Sequence, residues 1–350
     1  MSGRPTWILT GGAGFIGANT ARALADRDVD VVVLDNLSRP SAPINLEWLR
    51  ERDKRVSFLN VDVRDRRALA AAFASVQNVD AVVHLAAQVA VTTSIADPAD
   101  DFDTNALGTF NALEATRAHA PDAVFLNVSS NKVYGRLETH RIAEAETRFE
   151  HEDLPGGISE AQPLEPSSPY GCSKAAADVY ALDYAHTYGL RAVTLRQSCI
   201  YGPRQFGIED QGWVAWFAIA ALLGRPITVY GTGKQVRDLL HVDDLVELYI
   251  RAAERRDACA GNAYNVGGGP ANTLSLLELL DLLEARHGRP IPYAHAPERL
   301  ADQKMFVCDV SRAESELDWA PRTDVGTGIE QLLAWVEEHA ETAAGLLDSR

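Results

Sequence analysis

The sequence predicts an α/β protein: a doubly wound parallel sheet with helices on both faces, followed by a smaller C-terminal mixed α/β layer. Three observations carry this. Up to about residue 198, short apolar runs alternate with helical stretches, and each run ends in small or polar residues. A glycine-rich turn joins the first run to the first helix. Beyond residue 199 the alternation gives way to a long apolar helix and scattered short strands. In such a sheet a ligand lies across the carboxyl ends of the strands.

Residues 7–10 read as the first strand, followed by Gly11, Gly14, Phe15, Ile16 and Gly17 and then an Ala-rich helix. A glycine turn between strand and helix brings backbone N–H groups and a positive helix end against a pyrophosphate, the Rossmann-type arrangement. Residues 31–34 make the second strand and end in Asp35. That carboxylate stands about 20 residues beyond the glycines, where it can accept from ribose hydroxyls. Asp35 repels a 2′-phosphate and Asn36 offers no cation to hold one, so NAD is expected rather than NADP.

The later strands follow the same rule. Residues 56–59 lead to Asp62 and Val63, 80–84 to Leu85, Ala86 and Ala87, 124–128 to Ser129 and Ser130, and 192–195 to Gln197, Ser198 and Cys199. His84, inside a strand, reads as a core residue or as support behind the site. The acidic run 97–103 reads as a solvated helix start. Residues 138–166 form a long, charged, Pro- and Gly-bearing insertion, either a disordered surface loop or a lid; its position directly before Tyr170 favours the lid.

In the second half, residues 211–223 read as a helix in which Trp216 and Phe217 belong to the core and Trp213 is a candidate ligand contact. Residues 227–230 read as a strand ending in Tyr230, Asp243 opens another helix, and Ser275 with Glu278 has capping-box spacing. The expected division is 1–198 for the cofactor domain, with 236–266 packing back onto it, and 199–350 for a discontinuous substrate domain. A ligand then lies in the cleft between the halves.

Ser167, Ser168 and Pro169 are helix-start signals ahead of Tyr170, Gly171, Cys172, Ser173 and Lys174. Positions four apart share a helix face, so the Tyr170 phenol and the Lys174 ammonium are expected side by side. A free tyrosine has a pKa of about 10, too high for a base at neutral pH, and an adjacent cation favours the phenolate. An oxidised nicotinamide adds a second positive charge. The product is a proton acceptor for a hydroxyl that is losing hydride.

Composition narrows the partners. The 33 Lys and Arg against 49 Asp and Glu leave a net charge of −16, which argues against nucleic acid or an anionic membrane. The four cysteines lack metal-type spacing, so no metal is expected, and they read as thiols of a reducing cytoplasm. No signal-peptide pattern and no apolar stretch near 18 residues is visible, so a cytoplasmic protein without a membrane span is expected.

Taken together, these motifs resemble the extended short-chain dehydrogenase/reductase family of nucleotide-sugar epimerases and dehydratases. The likeness runs from Gly11 to the 309–313 segment and Trp319–Pro321. It implies that Ser130, Tyr170 and Lys174 are the catalytic set. It also implies that Asp62 and Val63 contact adenine, that Leu85, Ala86, Ala87, Gln88 and Ser129 line the cofactor channel, and that Asn105 helps order the site. Arg237 and Arg299 match the arginines that grip a nucleotide diphosphate, which explains how an acidic protein holds a doubly charged ligand. Asp302 follows Arg299 as in the family, although Ala301 stands where a Gly is usual.

The 4,6-dehydratases of the family place an Asp-Glu pair after the catalytic Thr; here Asn131 and Lys132 occupy those places. These two either contact the sugar or only cap the turn after the strand. Residues 129–135, 146–149, 157–160, 233–238 and Cys199 resemble the branch that inverts C2 of a CDP-linked deoxyhexose. Cys199 is then a wall of the sugar pocket, and Arg204 and Gln205 either reach the substrate or shape the loop. The implied alternatives are a UDP-hexose 4-epimerase and, from another class, an NAD-binding regulator. Relatives pair through helices near 105–119 and 170–188, so a homodimer or homotetramer is expected.

Overall fold

A computed structural model describes residues 3–348. In the first part β1 (Thr6–Thr10), β2 (Asp30–Asp35), β3 (Val56–Asn60), β4 (Val79–His84) and β5 (Val124–Ser130) alternate with helices. These are α1 (Phe15–Ala25), α2 (Ala42–Arg52), α3 (Arg66–Ser75), α4 (Val91–Ala96), α5 (Pro98–Phe102) and α6 (Gly108–His119). Side-chain caps set two of the helix starts: Asp65 accepts from the Arg67 and Ala68 N–H groups ahead of α3, and Asp97 from Asp100 N ahead of α5. Between α5 and α6 one π-helical turn, Asp103–Leu107, carries Asn105.

The 138–166 insertion contains a hairpin, β6 (Ile142–Glu144) and β7 (Phe149–His151). It is followed by α7 (Pro169–Tyr188), β8 (Arg191–Gln197), β9 (Cys199–Tyr201), α8 (Trp213–Leu223), β10 (Ile227–Tyr230), β11 (Val236–His241) and α9 (Val242–Glu254). Then come α10 (Arg256–Cys259), β12 (Ala263–Val266), β13 (Thr273–Ser275), α11 (Leu276–His287), β14 (Tyr293–Ala296) and β15 (Met305–Phe306). The helices α12 (Ser311–Leu317), α13 (Val325–Glu338) and α14 (Ala340–Asp348) complete the order.

The main sheet has seven parallel strands in the order β12-β8-β5-β4-β1-β2-β3. Because side chains alternate along a strand, each run divides between two layers of core. Trp7, Leu9, Val31, Val33, Ala81, Val83, Leu126 and Val193 pack on one face, and Ile8, Val32, Leu34, Val82, Phe125 and Ala192 on the other. This double burial explains why the strands read as continuous apolar runs.

The second half has its own core around α8, whose residues 214–221 are all buried, together with α11 and α13. The Ser275–Glu278 capping box is present. Of residues 236–266, α9 lies on α1 through Arg22–Asp243 and Arg27–Glu247, and β12 closes the edge of the main sheet. β11 instead pairs with β9, β13 and β15.

The insertion is a strap, neither a disordered loop nor a lid. Arg148 grips Glu278 with two bonds of 2.7 Å, and Lys234 pairs with Glu144 at 2.8 Å. Ile158 exchanges backbone bonds with Val307 and Asp309, and Asn265 Nδ2 donates to its carbonyl. These contacts pin the segment to the surrounding chain, and none of its residues lines the main cavity.

Candidate active site

The site forms where β1, β2, β4, β5 and β8 end. A cavity of about 570 Å³ opens there, within the range that encloses a sizeable ligand. Gly11, Gly14, Phe15, Ile16, Gly17, Asp35, Asn36, Asp62, Val63, Leu85, Ala86, Ala87, Gln88, Ser129, Ser130, Tyr170, Lys174 and Gln205 all line it.

The glycine loop is shaped for a close backbone approach. Gly11 has φ +67°, and a Cβ there would lie 2.6 Å from Ala86 N. Gly14 caps α1 without any side chain, so the helix N-terminus faces the cavity with its N–H groups free of a side-chain acceptor. Asp35 accepts from Ala13 N at 3.1 Å and Leu37 N at 2.8 Å, which ties the end of β2 to the glycine turn. Burial raises its pKa against those two bonds. Arg64 and Asn36 hold Asp62, whose carboxyl lies well below the usual range. Turn, helix end and ribose-facing carboxylate fit a dinucleotide.

On α7, Ser168 caps the helix by accepting from Gly171 N at 3.1 Å, with Pro169 in the first turn. Tyr170 N donates to Ser94 Oγ at 3.1 Å. Tyr170 and Lys174 are both buried. The expected pairing of phenol and ammonium is corrected in one respect. The Lys174 ammonium donates to the Val128 carbonyl. Burial pushes Tyr170 up to about 12, with Ser130 opposing by hydrogen bonding, and pushes Lys174 down to about 8. Desolvation disfavours both charged forms, so adjacency of the two residues alone does not make the phenolate.

Below them, Ser129 Oγ donates to Asp178 at 3.0 Å, and Arg196 binds the same carboxylate at 2.9 and 3.1 Å. Arg196 also reaches Tyr134, whose hydroxyl donates to Asn265 at 2.7 Å. The sequence reading missed this buried network; its visible signal was an arginine ending an apolar strand. His84 is a core residue, 2.8 Å from Thr10 Oγ1 and 3.1 Å from Thr109 Oγ1, and burial pushes it down to about 3.

Asn105 does not line the cavity. It stands behind the wall, bonded to Gln88 N and O, Asp101 and Ser173. The acidic run is likewise corrected: Asp97 caps α5 as a solvated start would, but Asp101 is fully buried.

The residues expected on the substrate form three groups. Lys132 and Arg237 share Asp302, at 3.4 and 2.8 Å. Burial pushes Lys132 down to about 8. Burial raises Asp302, but the two cations outweigh it and hold its carboxyl below the ordinary range. Arg299 lies 4.0 Å over the Tyr230 ring and pairs with Asp210 at 3.0 Å. The first two groups connect through the 299–302 turn, where Ala301 takes φ +59°, a backbone form that glycine adopts more readily. Cys199 is half-buried beside the Trp213 indole, and desolvation pushes its thiol up to about 12, which leaves it unreactive.

Two expectations change. Arg204 turns away from the cavity: its guanidinium lies 4.4 Å over Trp48 and bonds Asn45, both on α2, from a backbone at φ +70°. Asn131 does not cap the turn after β5; Ser130 does that by accepting from Lys132 N, and Asn131 Nδ2 donates to Gln303 at 3.1 Å. Among lining residues not anticipated are Thr93, on α4, and Arg39, Arg64 and Gln211, brought in from loops whose direction the local sequence does not encode.

The sequence pattern of the NAD dependent epimerase/dehydratase family matches residues 7–267. A CDP-paratose 2-epimerase from Salmonella typhi is 41% identical over 333 residues, covering 94% of this chain and 98% of its own. A dTDP-glucose 4,6-dehydratase from Streptomyces venezuelae, solved with NAD bound, superposes with a TM-score of 0.82 at 30% identity, covering 97% of this chain and 99% of that one. A UDP-glucose 4-epimerase from Thermus thermophilus in complex with NAD gives 0.79 at 31% identity, covering 95% and 99%.

Proposed function

Since the chain belongs to the NAD dependent epimerase/dehydratase family, we propose that it inverts C2 of a CDP-linked deoxyhexose through a transient 2-keto sugar. The family makes it an NAD-dependent enzyme acting on nucleotide sugars, which sets aside the silent regulator. One observation carries the finer reading. Directly after Ser130 stand Asn131 and Lys132, tied to Gln303 and Asp302, where elimination of water needs an acid and a base. The hydride-transfer set is present while the dehydration pair is not.

In this reading Tyr170 takes the proton of the C2 hydroxyl, and Ser130 hydrogen-bonds the same oxygen. Bound NAD supplies the hydride acceptor and donor, and its oxidised ring brings the positive charge that a phenol held near 12 requires. Lys174 stays at the end of β5, where it can hold the nicotinamide ribose. Arg237 and Arg299 exchange their present carboxylate partners for the diphosphate, keeping it fixed while the keto sugar turns over about its glycosidic link. Return of hydride to the opposite face completes inversion without net redox change.

The test is incubation of the purified protein with CDP-paratose and a panel of nucleotide sugars in deuterated water, read by mass spectrometry and NMR. The C2 epimer without solvent deuterium is expected. Deuterium entering C2 points to proton abstraction and overturns the mechanism; turnover of UDP-hexoses at C4 alone overturns the substrate.

A further inference from the structure

Asp101 is the last-but-one residue of α5 and is fully buried behind the cavity wall. One carboxylate oxygen accepts from Gln88 Nε2 at 3.0 Å and Asn105 Nδ2 at 3.1 Å. The other accepts from Ser173 Oγ at 2.6 Å. Ser173 sits on α7 between Tyr170 and Lys174, and its hydroxyl also meets Asn105 Nδ2 at 3.1 Å. A short bond from a hydroxyl to a carboxylate is of the strong, charge-assisted kind. Through it α5 and the π-helical turn hold the first turns of α7.

The three donors that reach Asp101 are neutral; burial raises its pKa, opposed by the bonds from Ser173 and Gln88 and by the charge of Lys174. Asp178, the other buried carboxylate near Lys174, is already committed to Arg196. The charged and titratable groups around Asp101 are Tyr170 and Lys174 on α7 and Asp100 on its own helix. His84, on β4, feels the Lys174 charge and stays neutral. Asp101 opposes ionisation of Tyr170 and favours the ammonium of Lys174.

We propose that Asp101 is a positioning residue of this site: through Ser173 it sets the Tyr170–Lys174 turn against the π-helical turn, and its buried carboxylate, one residue from Lys174 through that bond, favours the Lys174 ammonium. The same charge adds to burial in holding the Tyr170 phenol protonated until a further positive charge stands beside it. This rests on the epimerase reading for its catalytic meaning, but its electrostatic content does not need a sugar.

The experiment titrates tyrosinate absorbance of the NAD-loaded protein against pH, subtracting Tyr170→Phe to isolate Tyr170. In Asp101→Asn the Tyr170 band is expected at lower pH than in the native protein, since removing a negative charge eases formation of a second one. An unmoved band overturns the proposal. Asp101→Ser, smaller and neutral, carries the same expectation if the Asn variant does not fold. Ser173→Ala removes the tether and keeps the charge: the band stays at its native pH, while kcat falls roughly tenfold at unchanged KM, the scale of one lost hydrogen bond. A band that moves as far as in Asp101→Asn, or an unchanged kcat, overturns it. Absence of turnover with every sugar, alongside the expected band shift, counts against the epimerase reading and leaves this one standing.

Discussion

Arg196 meets Asp178 fork to fork, at 2.9 and 3.1 Å, with the carboxylate fully buried and the guanidinium nearly so. The pair joins β8 to α7 directly beneath Ser129, which donates to the same carboxylate. Removing one partner leaves an uncompensated buried charge. We expect Arg196→Met to cost about 3–5 kcal/mol of stability and a double Arg196→Met, Asp178→Leu variant to recover most of it. Urea denaturation measures both; equal losses in single and double variants would contradict the account.

Tyr170→Phe removes the hydroxyl proposed as the proton acceptor and keeps the ring. The expected result is retained binding of the nucleotide sugar with a rate at least ~100-fold lower, the low end for a general base. Calorimetry with steady-state kinetics separates the two. A loss of binding with an unchanged rate constant at saturation would place Tyr170 in recognition instead.

We expect cofactor choice to follow from Asp35, which lines the cavity at the end of β2 and is anchored by Ala13 and Leu37. A 2′-phosphate brought against it meets like charge. NAD is expected to bind at least tenfold more tightly than NADP, about 1.4 kcal/mol. Asp35→Ser narrows the ratio, the more so because Arg39 lines the same cavity. Equal affinities of the native protein by calorimetry would refute this.

Stability against acid is tied to His84. Its folded pKa is depressed to about 3 from an ordinary 6.5 because burial disfavours the imidazolium. The unfolded chain therefore binds more protons between those values, and stability falls as pH drops through that window. His84→Gln keeps polar contacts for Thr10 and Thr109 without a titrating ring. Its stability is expected to fall less steeply below pH ~6.5. Parallel curves for the two proteins would show that His84 does not carry the effect.

Along α5 and α7, Phe102 and Val179 are each 56% exposed, and Tyr180 and Tyr188 about half exposed, an apolar face of the kind that pairs with another protein. We expect the exposed residues of α7, with α6 beside it through Phe110 and Tyr180, to pair with a second copy of the chain. Light scattering at micromolar concentration should give a dimer or tetramer, and Val179→Glu should shift it toward monomer. A monomeric native protein would contradict this.

What the sequence determined by itself is local. Six of the seven main-sheet strands, the glycine turn at the start of α1, Asp35 at the end of β2, and the Tyr170 and Lys174 pair near the start of α7 follow from alternation, helix periodicity and capping within a few residues. Tertiary structure decided everything that depends on a distant partner. Asp101, inside a run of acids, is buried because α7 brings Ser173 to it. The insertion is a strap because Glu278, 130 residues away, receives Arg148. Arg204 leaves the cavity for Asn45 and Trp48 on α2. Burial, more than the spacing of Tyr170 and Lys174, sets the charge of both. The physical reason is that hydrogen bonds and desolvation act over ångströms in space, whereas a sequence pattern records only neighbours along the chain.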